Sequence, residues 1–118
     1  MGMTEVTIKI KNPKNPKLQV RGKFLVDSGA AFTVLPADLV AELKLKPVYE
    51  KEFSLADGKV VKRKIGSALI EFQGQELPSP VVLGKKNDSK LLGALTLESF
   101  GLALDPFERK IYKARLML

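Results

Sequence analysis

The sequence predicts an all-β protein: a small closed β-barrel with one or two short helices. Short apolar segments recur along the chain and are separated by Gly, Pro, Asn and Asp, which favour turns. No segment has the strand–helix–strand spacing of a parallel α/β unit, and there is no internal repeat. With 118 residues the chain is too short for two similar lobes, so we expect residues 1–118 to form a single domain.

The first half of the chain reads as strands followed by a short helix. Residues 6–10 alternate apolar and polar side chains, which predicts a half-buried strand, and residues 11–17 contain two Asn-Pro steps that predict an exposed loop. A second strand begins near residue 18. Its end, residues 24–26, is apolar throughout and is expected to be buried on both faces. Residues 31–35 predict a short strand, and Pro36 suits the first position of a helix whose apolar face is Leu39, Val40 and Leu43.

Two hairpins are expected in the middle of the chain. Residues 48–55 and 59–65 flank Asp57-Gly58, a pair that favours a two-residue type I′ turn, and this hairpin is a candidate flap. Residues 68–72 and 77–83 flank a second turn. Pro78 and Pro80 lack the backbone N–H that a central strand needs, so they place part of the returning strand at a sheet edge.

The last third of the chain predicts one short helix and two strands. Residues 84–89 read as a polar loop, and residues 94–100 predict a helix that ends at Gly101. Residues 102–104 and 111–118 predict strands on either side of a turn at Asp105-Pro106.

Composition excludes several kinds of chemistry. The chain has no Cys and no His, so it lacks disulfides, thiolate metal sites and the commonest residue of zinc sites and catalytic triads. Carboxylates, Lys and hydroxyls remain, and we expect no metal and no cofactor. The start of the sequence has no signal-peptide pattern, and no apolar run approaches the roughly 18 residues that span a bilayer. These features predict a soluble, cytoplasmic protein with no membrane partner.

The net charge of +7 raises the question of a nucleic-acid partner. A nucleic-acid surface usually combines basic side chains with aromatic rings, yet Lys9, Lys11, Lys14 and Lys17 have no aromatic neighbour in sequence. We therefore interpret the excess charge as a solvated surface and expect no nucleic-acid binding. A basic adaptor for nucleic acid remains an alternative.

Two motifs suggest an active site. Asp27-Ser28-Gly29 follows the apolar residues 24–26, so a poorly hydrated carboxylate would be held in a tight turn. Leu91-Leu92-Gly93 is a second apolar segment that ends at Gly. Other acidic residues (Asp38, Asp88 and Asp105) stand where helices or turns begin and are interpreted as caps.

Together the motifs resemble those of the retropepsin-like aspartic proteases, the retroviral-type single-lobe enzymes, in the same order along residues 6–109. The resemblance implies the acid-protease type of barrel, a homodimer and a peptide or unfolded protein as substrate. It implies that Asp27 of each subunit is catalytic. The active-site turn would be supported by Ser28, Gly29, Ala30, Leu92 and Gly93, and the flap would contact substrate through Leu55, Ala56, Asp57 and Gly58.

The chain also departs from the retroviral members of this family. Ala94 follows Gly93 where those enzymes usually carry an Arg that helps to hold the dimer, and the flap tip is not rich in Gly. Residues 104–106 with Arg109-Lys110 resemble the cellular and microbial members more than the viral ones. Candidate walls of the substrate pockets are Ala30, Ala31, Leu55 and Val82. The alternative function is a catalytically inert module that keeps the fold and binds peptides or dimerises.

Overall fold

A computed structural model of the protein describes residues 4–115 and 117–118. Within these residues the chain forms nine strands and two short helices. In chain order they are β1 (Glu5–Asn12), β2 (Asn15–Val26), β3 (Thr33–Leu35), α1 (Ala37–Leu43), β4 (Tyr49–Ser54), β5 (Val60–Phe72), β6 (Gln75–Leu83), β7 (Leu91–Leu92), α2 (Ala94–Ser99), β8 (Leu102–Asp105) and β9 (Lys110–Lys113). The predicted β-rich fold with two short helices is confirmed.

The strands form a ring of hydrogen-bonded pairs. Seven strands follow the order β1-β2-β7-β3-β6-β5-β4, and β1 also pairs with β5, so the pairings return to their starting strand. Strand β4 lies outside this ring and pairs only with the first half of β5, from Val60 to Ile65. The second half of β5 pairs with β1 at Leu69, Ile70 and Glu71. Strands β8 and β9 form a separate two-stranded sheet.

The core is built from the inward-facing residues of the ring, which alternate along each strand. Ile8 and Ile10 of β1, Phe24 of β2 and Ile70 of β5 are fully or almost fully buried. The prediction that residues 24–26 are buried on both faces is wrong for Leu25, which is half-buried. Its side chain points to the opposite face from Phe24 and lines a surface groove with Lys23 and Lys90.

The loop predicted over residues 11–17 is only the tip of the β1–β2 hairpin, because both strands continue to Asn12 and Asn15. The Asn12 Oδ1 atom accepts hydrogen bonds from the backbone N–H groups of Lys14 (2.8 Å) and Asn15 (3.2 Å). The Asn12 side-chain amide also donates to the Leu43 carbonyl at 2.8 Å, which joins this hairpin to α1. The Asn12 side chain, by accepting hydrogen bonds from the backbone that follows it, therefore stabilises a short turn where the sequence suggested a long loop.

The two middle hairpins are present, but the predicted type I′ turn at Asp57-Gly58 is wrong. Gly58 has φ of 86°, whereas Asp57 is not among the residues with positive φ, and a type I′ turn needs positive φ at both. The Leu55 N–H bonds to the Lys59 carbonyl at 2.8 Å, so the loop has three central residues. The two-residue turn with both φ values positive occurs in the second hairpin, at Gln73 (51°) and Gly74 (79°).

The Pro residues of β6 lie at an edge, as predicted. Pro78 and Pro80 pair with β5 on one side, while β3 pairs with β6 only at residues 81–83. Helix α2 also ends as predicted, with Gly101 at φ of 72° after its last turn.

Other element boundaries differ from the prediction. Pro36 caps α1 and is not its first residue. Strand β9 ends at Lys113, because β8 offers only four residues for pairing and the Ala114 N–H bonds to the Gly101 carbonyl at 2.8 Å. Of the predicted strand 111–118, Leu116 lies outside the described residues.

Candidate active site

Asp27 lies immediately after β2, where a parallel pair of strands ends. Val26 is paired with Leu92 of β7, and the Asp27 N–H donates to the Leu92 carbonyl at 3.1 Å. The chain then turns at once, with the Ala30 N–H donating to the Asp27 carbonyl at 3.1 Å. The backbone of Asp27 is therefore fixed on both sides by hydrogen bonds.

The carboxylate of Asp27 is held by the turn that follows it. The Gly29 N–H donates to the Asp27 Oδ1 atom at 2.9 Å, and the Asp27 side chain is half-buried. A Cβ on residue 29 would lie 3.1 Å from the same oxygen, so a side chain there would crowd the carboxylate. Within the described residues, none of the ion pairs includes Asp27.

Leu92 and Gly93 lie directly behind this turn. Leu92 is buried, and a Cβ on Gly93 would lie 2.4 Å from the carbonyl carbon of Phe32. The first N–H groups of α2 continue the contact, since the Ala94 N–H donates to the Ala30 carbonyl at 2.8 Å. The backbone of the Leu-Leu-Gly segment thus packs against the loop that leads away from Asp27, a contact that only Gly permits at position 93.

A chain of buried hydroxyl groups extends from Gly93 into the protein, and the sequence analysis missed it. The Gly93 N–H donates to Thr33 Oγ1 at 3.1 Å, and Thr33 Oγ1 lies 2.6 Å from Thr96 Oγ1. Thr96 Oγ1 lies 2.8 Å from Ser79 Oγ. Thr33, Thr96 and Ser79 are all buried, so their mutual hydrogen bonds offset the cost of removing them from water. The sequence does contain one indication of this chain: Thr33, Ser79 and Thr96 are small polar residues that each stand between apolar neighbours.

A cleft of about 590 Å³ opens above Asp27. All four predicted pocket walls, Ala30, Ala31, Leu55 and Val82, line it. The other lining residues are Asp27, Gly29, Phe32, Val34, Phe53, Ser54, Ala56, Val61, Arg63, Asp88, Ser89 and Leu91. Ten of the sixteen lining residues are Ala, Val, Leu or Phe, and a largely apolar lining is typical of a ligand-binding cleft.

The predicted flap lies over one side of the cleft. Phe53 of β4 meets Phe32 edge to face, with ring centroids 5.8 Å apart, and this contact joins the hairpin to the segment after the Asp27 turn. Leu55 and Ala56 line the cleft, whereas Asp57 and Gly58 form the tip and do not. Ser28 is exposed and also does not line the cleft.

Comparison with known proteins agrees with this geometry. Residues 18–99 match the model of a family described as "gag-polyprotein putative aspartyl protease". The chain belongs to this gag-type aspartyl protease family. A comparison with curated protein sequences finds no match.

Two solved structures have the same fold as this chain. EIAV protease complexed with the inhibitor HBY-793 is 18% identical, with a TM-score of 0.64 over 99% of this chain and 94% of that one. The solution structure of simian foamy virus (mac) protease is also 18% identical, with a TM-score of 0.58 over 82% of this chain and 94% of that one. At this identity the likeness concerns the fold, which is the retropepsin-like, acid-protease type.

An ion pair lies in the wall of the cleft in this member of the gag-type family. The Arg63 guanidinium of β5 donates twice to the Asp88 carboxylate, from Nε at 2.8 Å and from Nη2 at 3.1 Å. These bonds, with one from the Lys85 N–H, outweigh partial burial and hold the pKa of Asp88 below its ordinary value. A lowered pKa means that the stabilisation is fully present above the ordinary Asp pKa of about 4 and is lost as pH falls through the lowered value.

The other acidic residues interpreted as caps differ in role. The Asp105 carboxylate accepts backbone N–H bonds from Phe107 at 2.8 Å and Glu108 at 3.1 Å, as expected of a turn cap. Asp88 caps its turn through Lys85 but also pairs with Arg63, which the sequence did not indicate. Asp38 stands in the first turn of α1, whose N-terminus has no side-chain cap, so that interpretation is wrong for Asp38.

Two further features are absent from the described residues. No group of three or more Asp or Glu side chains is close enough to hold a metal ion. No helix among these residues is long and apolar enough to cross a membrane.

Proposed function

We propose that this chain is a homodimeric aspartic endopeptidase that hydrolyses peptide bonds with water activated between two Asp27 carboxylates. The placement of Asp27 is the observation that carries the proposal: its carboxylate is fixed by the Gly29 N–H at the floor of an apolar cleft. The matching family is described as an aspartyl protease, which supports the same chemistry. Incubating the purified protein with unfolded protein substrates from acid to neutral pH, beside an Asp27→Asn control, tests it.

The mechanism follows from bringing two carboxylates close together. Two such groups a few ångströms apart cannot both ionise cheaply, so they share one proton, and aspartic proteases are the standard example. The charged carboxylate takes a proton from a water molecule while the water oxygen bonds to the carbonyl carbon of the substrate. The protonated carboxyl gives its proton to the carbonyl oxygen. The carboxyl that took the water proton then delivers it to the nitrogen as the C–N bond breaks, while the other carboxylate takes a proton from a hydroxyl of the intermediate, so both products leave and the pair again holds one proton.

The substrate would be an extended peptide segment lying between the Asp27 turn and the flap. Main-chain hydrogen bonds to neighbouring backbone would hold it as an added strand, and alternate side chains would enter pockets. The pocket walls Ala30, Ala31, Leu55 and Val82 are small or aliphatic. We therefore expect cleavage of peptides and unfolded proteins beside apolar residues.

We also propose that this chain is nearer to the cellular and microbial members of the fold than to the viral ones, because residues 104–106 with Arg109-Lys110 resemble the former. The residue after Gly93 is Ala94, whose backbone bonds to Ala30 but whose methyl group cannot form the charged contact of an Arg. The two subunits would therefore be held by other contacts.

A symmetric homodimer is the first expected result. One chain supplies one Asp27 and the chemistry needs two, so the two turns should meet on a twofold axis, with the exposed Ser28 beside it. Sedimentation velocity over a concentration series should show a dimer, and Ser28→Ala should raise its dissociation constant. A strictly monomeric protein that still cleaves peptides would contradict both the dimer and the mechanism. An unchanged dissociation constant in the Ser28→Ala variant would remove Ser28 from the interface.

The rate of cleavage should follow a bell-shaped curve against pH. The acid side reports protonation of both carboxylates, and the alkaline side reports loss of the shared proton, so only the singly protonated pair is active. Initial rates of peptide cleavage measured across the acid to alkaline range check this. Activity that rises steadily to alkaline pH would exclude the paired carboxylates, as would loss of activity with a chelator and its return with zinc.

A further inference from the structure

The cleft contains one pair of charges that the proposed chemistry does not use. Of the described residues that line the cleft, Asp27, Arg63 and Asp88 are charged, and every other lining side chain is neutral. Arg63 and Asp88 neutralise each other through two hydrogen bonds, with only 17% and 24% of their side chains exposed. Apart from Asp27, this wall therefore offers no free charge to a substrate.

The two partners belong to different parts of the cleft. Arg63 lies in the half of β5 that carries the flap and pairs with Lys51 of β4. Asp88 lies on the loop between β6 and β7, which leads to the segment behind the catalytic turn. The pair thus joins the flap hairpin to the loop between β6 and β7.

Asp88 is held in place independently of Arg63. Its Oδ2 atom accepts the Lys85 N–H at 2.8 Å, and its own N–H donates to the Lys85 carbonyl at 3.1 Å. Gly84 packs against the same carboxylate, since a Cβ on Gly84 would lie 2.9 Å from Oδ2. If Arg63 were removed, the carboxylate would stay where it is and face the cleft unpaired.

We propose that the Arg63–Asp88 pair determines substrate specificity. The pair keeps the part of the cleft beside it, here called the subsite, without net charge, and so selects neutral side chains of the extended peptide. This inference rests on the proposed function. A charged substrate side chain entering the subsite would find Arg63 and Asp88 already paired with each other. It would lose its hydration without gaining a partner of opposite charge. Removing one partner should therefore create a preference of the opposite sign to the charge that remains, because a partly buried charge without a partner is costly.

The test uses one peptide scaffold with Leu, Glu or Lys at each position flanking the cleaved bond. Asp88→Asn leaves Arg63 positive and should raise the Glu/Leu ratio of kcat/KM about tenfold at one position, mainly through KM. Arg63→Met leaves Asp88 negative and should raise the Lys/Leu ratio similarly. The double variant Arg63→Met with Asp88→Asn has a neutral wall again and should return to the wild-type order of preference.

The matched control is Glu76→Gln, which removes the 2.6 Å ion pair with Lys11 outside the cleft and should leave all ratios unchanged. Equal loss for Leu, Glu and Lys peptides in both single variants would overturn the proposal, because a structural role lowers all three together. Ratios that do not move at all would overturn it too.

A second measurement separates this proposal from the proposed function. Binding of the same fluorescent peptides is measured in the Asp27→Asn background, where no cleavage is needed. The same sign-dependent shifts in dissociation constant would support the specificity role even if the wild-type protein cleaved nothing. Binding of all three peptides without any shift would overturn it, and so would the absence of measurable peptide binding to any variant.

Discussion

An Asp27→Asn variant should fold and dimerise like the wild type while losing peptide cleavage by about 10³-fold. Asn has nearly the shape of Asp, and its side-chain oxygen can still accept the Gly29 N–H that holds Asp27 Oδ1 at 2.9 Å. It cannot carry the negative charge or exchange the proton that general acid–base catalysis requires, which alone contributes roughly 10²–10⁴ in rate. Cleavage of a peptide library followed by mass spectrometry measures the loss, and thermal unfolding checks the fold.

Asp38→Asn is the matched control, because Asp38 is exposed on α1 and does not line the cleft. It should keep full activity. Wild-type turnover in the Asp27→Asn variant would move the catalytic role to another residue. A wild-type protein that binds peptides and cleaves none at any pH would instead identify the chain as the inert binding module.

Replacement of Gly93 by Ala should lower the free energy of unfolding by about 3 kcal/mol or more, beyond the usual cost of overpacking. The new methyl group would lie 2.4 Å from the Phe32 carbonyl carbon and 2.8 Å from the Thr33 nitrogen, both backbone atoms. Relief requires β7 to move away, and β7 carries the Leu92 carbonyl that accepts the Asp27 N–H. The value of kcat/KM should therefore fall even under conditions in which the variant is still fully folded. Urea unfolding and kcat/KM, measured together, check both effects.

Gly22→Ala provides the comparison, since its new Cβ would meet only Phe24 Cε1 at 3.7 Å, an ordinary contact. We expect a change within about 0.5 kcal/mol there. A Gly93→Ala protein as stable as Gly22→Ala would show that the segment behind the turn can shift without cost, and the rigid support described for Asp27 would be wrong.

Local patterns were sufficient for much of the fold and for the centre of the site. Alternation in β1, the Pro residues of β6 and the Gly after α2 each act over a few residues, so their consequences could be predicted from the sequence. The Asp27 turn belongs to the same class. The turn type at Asp57-Gly58 failed because it depends on how the two strands align, which a dipeptide does not determine.

The remaining features depend on residues that are distant in sequence. Arg63 and Asp88 are 25 positions apart, and Thr33 and Thr96 are 63 apart. A single sequence contains no local pattern that identifies either pair, because the partners meet only after the ring of strands has formed. For the same reason the wall residues Phe32 and Phe53 could not be assigned to the cleft.

The hydrogen bonds of the buried hydroxyl chain can run in only one direction from donor to acceptor. Ser79 donates its one hydroxyl hydrogen to the Pro80 carbonyl at 3.1 Å, so it can only accept from Thr96. Thr96 must in turn accept from Thr33, and Thr33 accepts from the Gly93 N–H. Every hydrogen along this path is thus ordered from a backbone donor to a backbone acceptor, and none of its members ionises in the range where carboxylates titrate. The support behind the Asp27 turn should consequently keep one geometry while the charge state of the cleft in front of it changes.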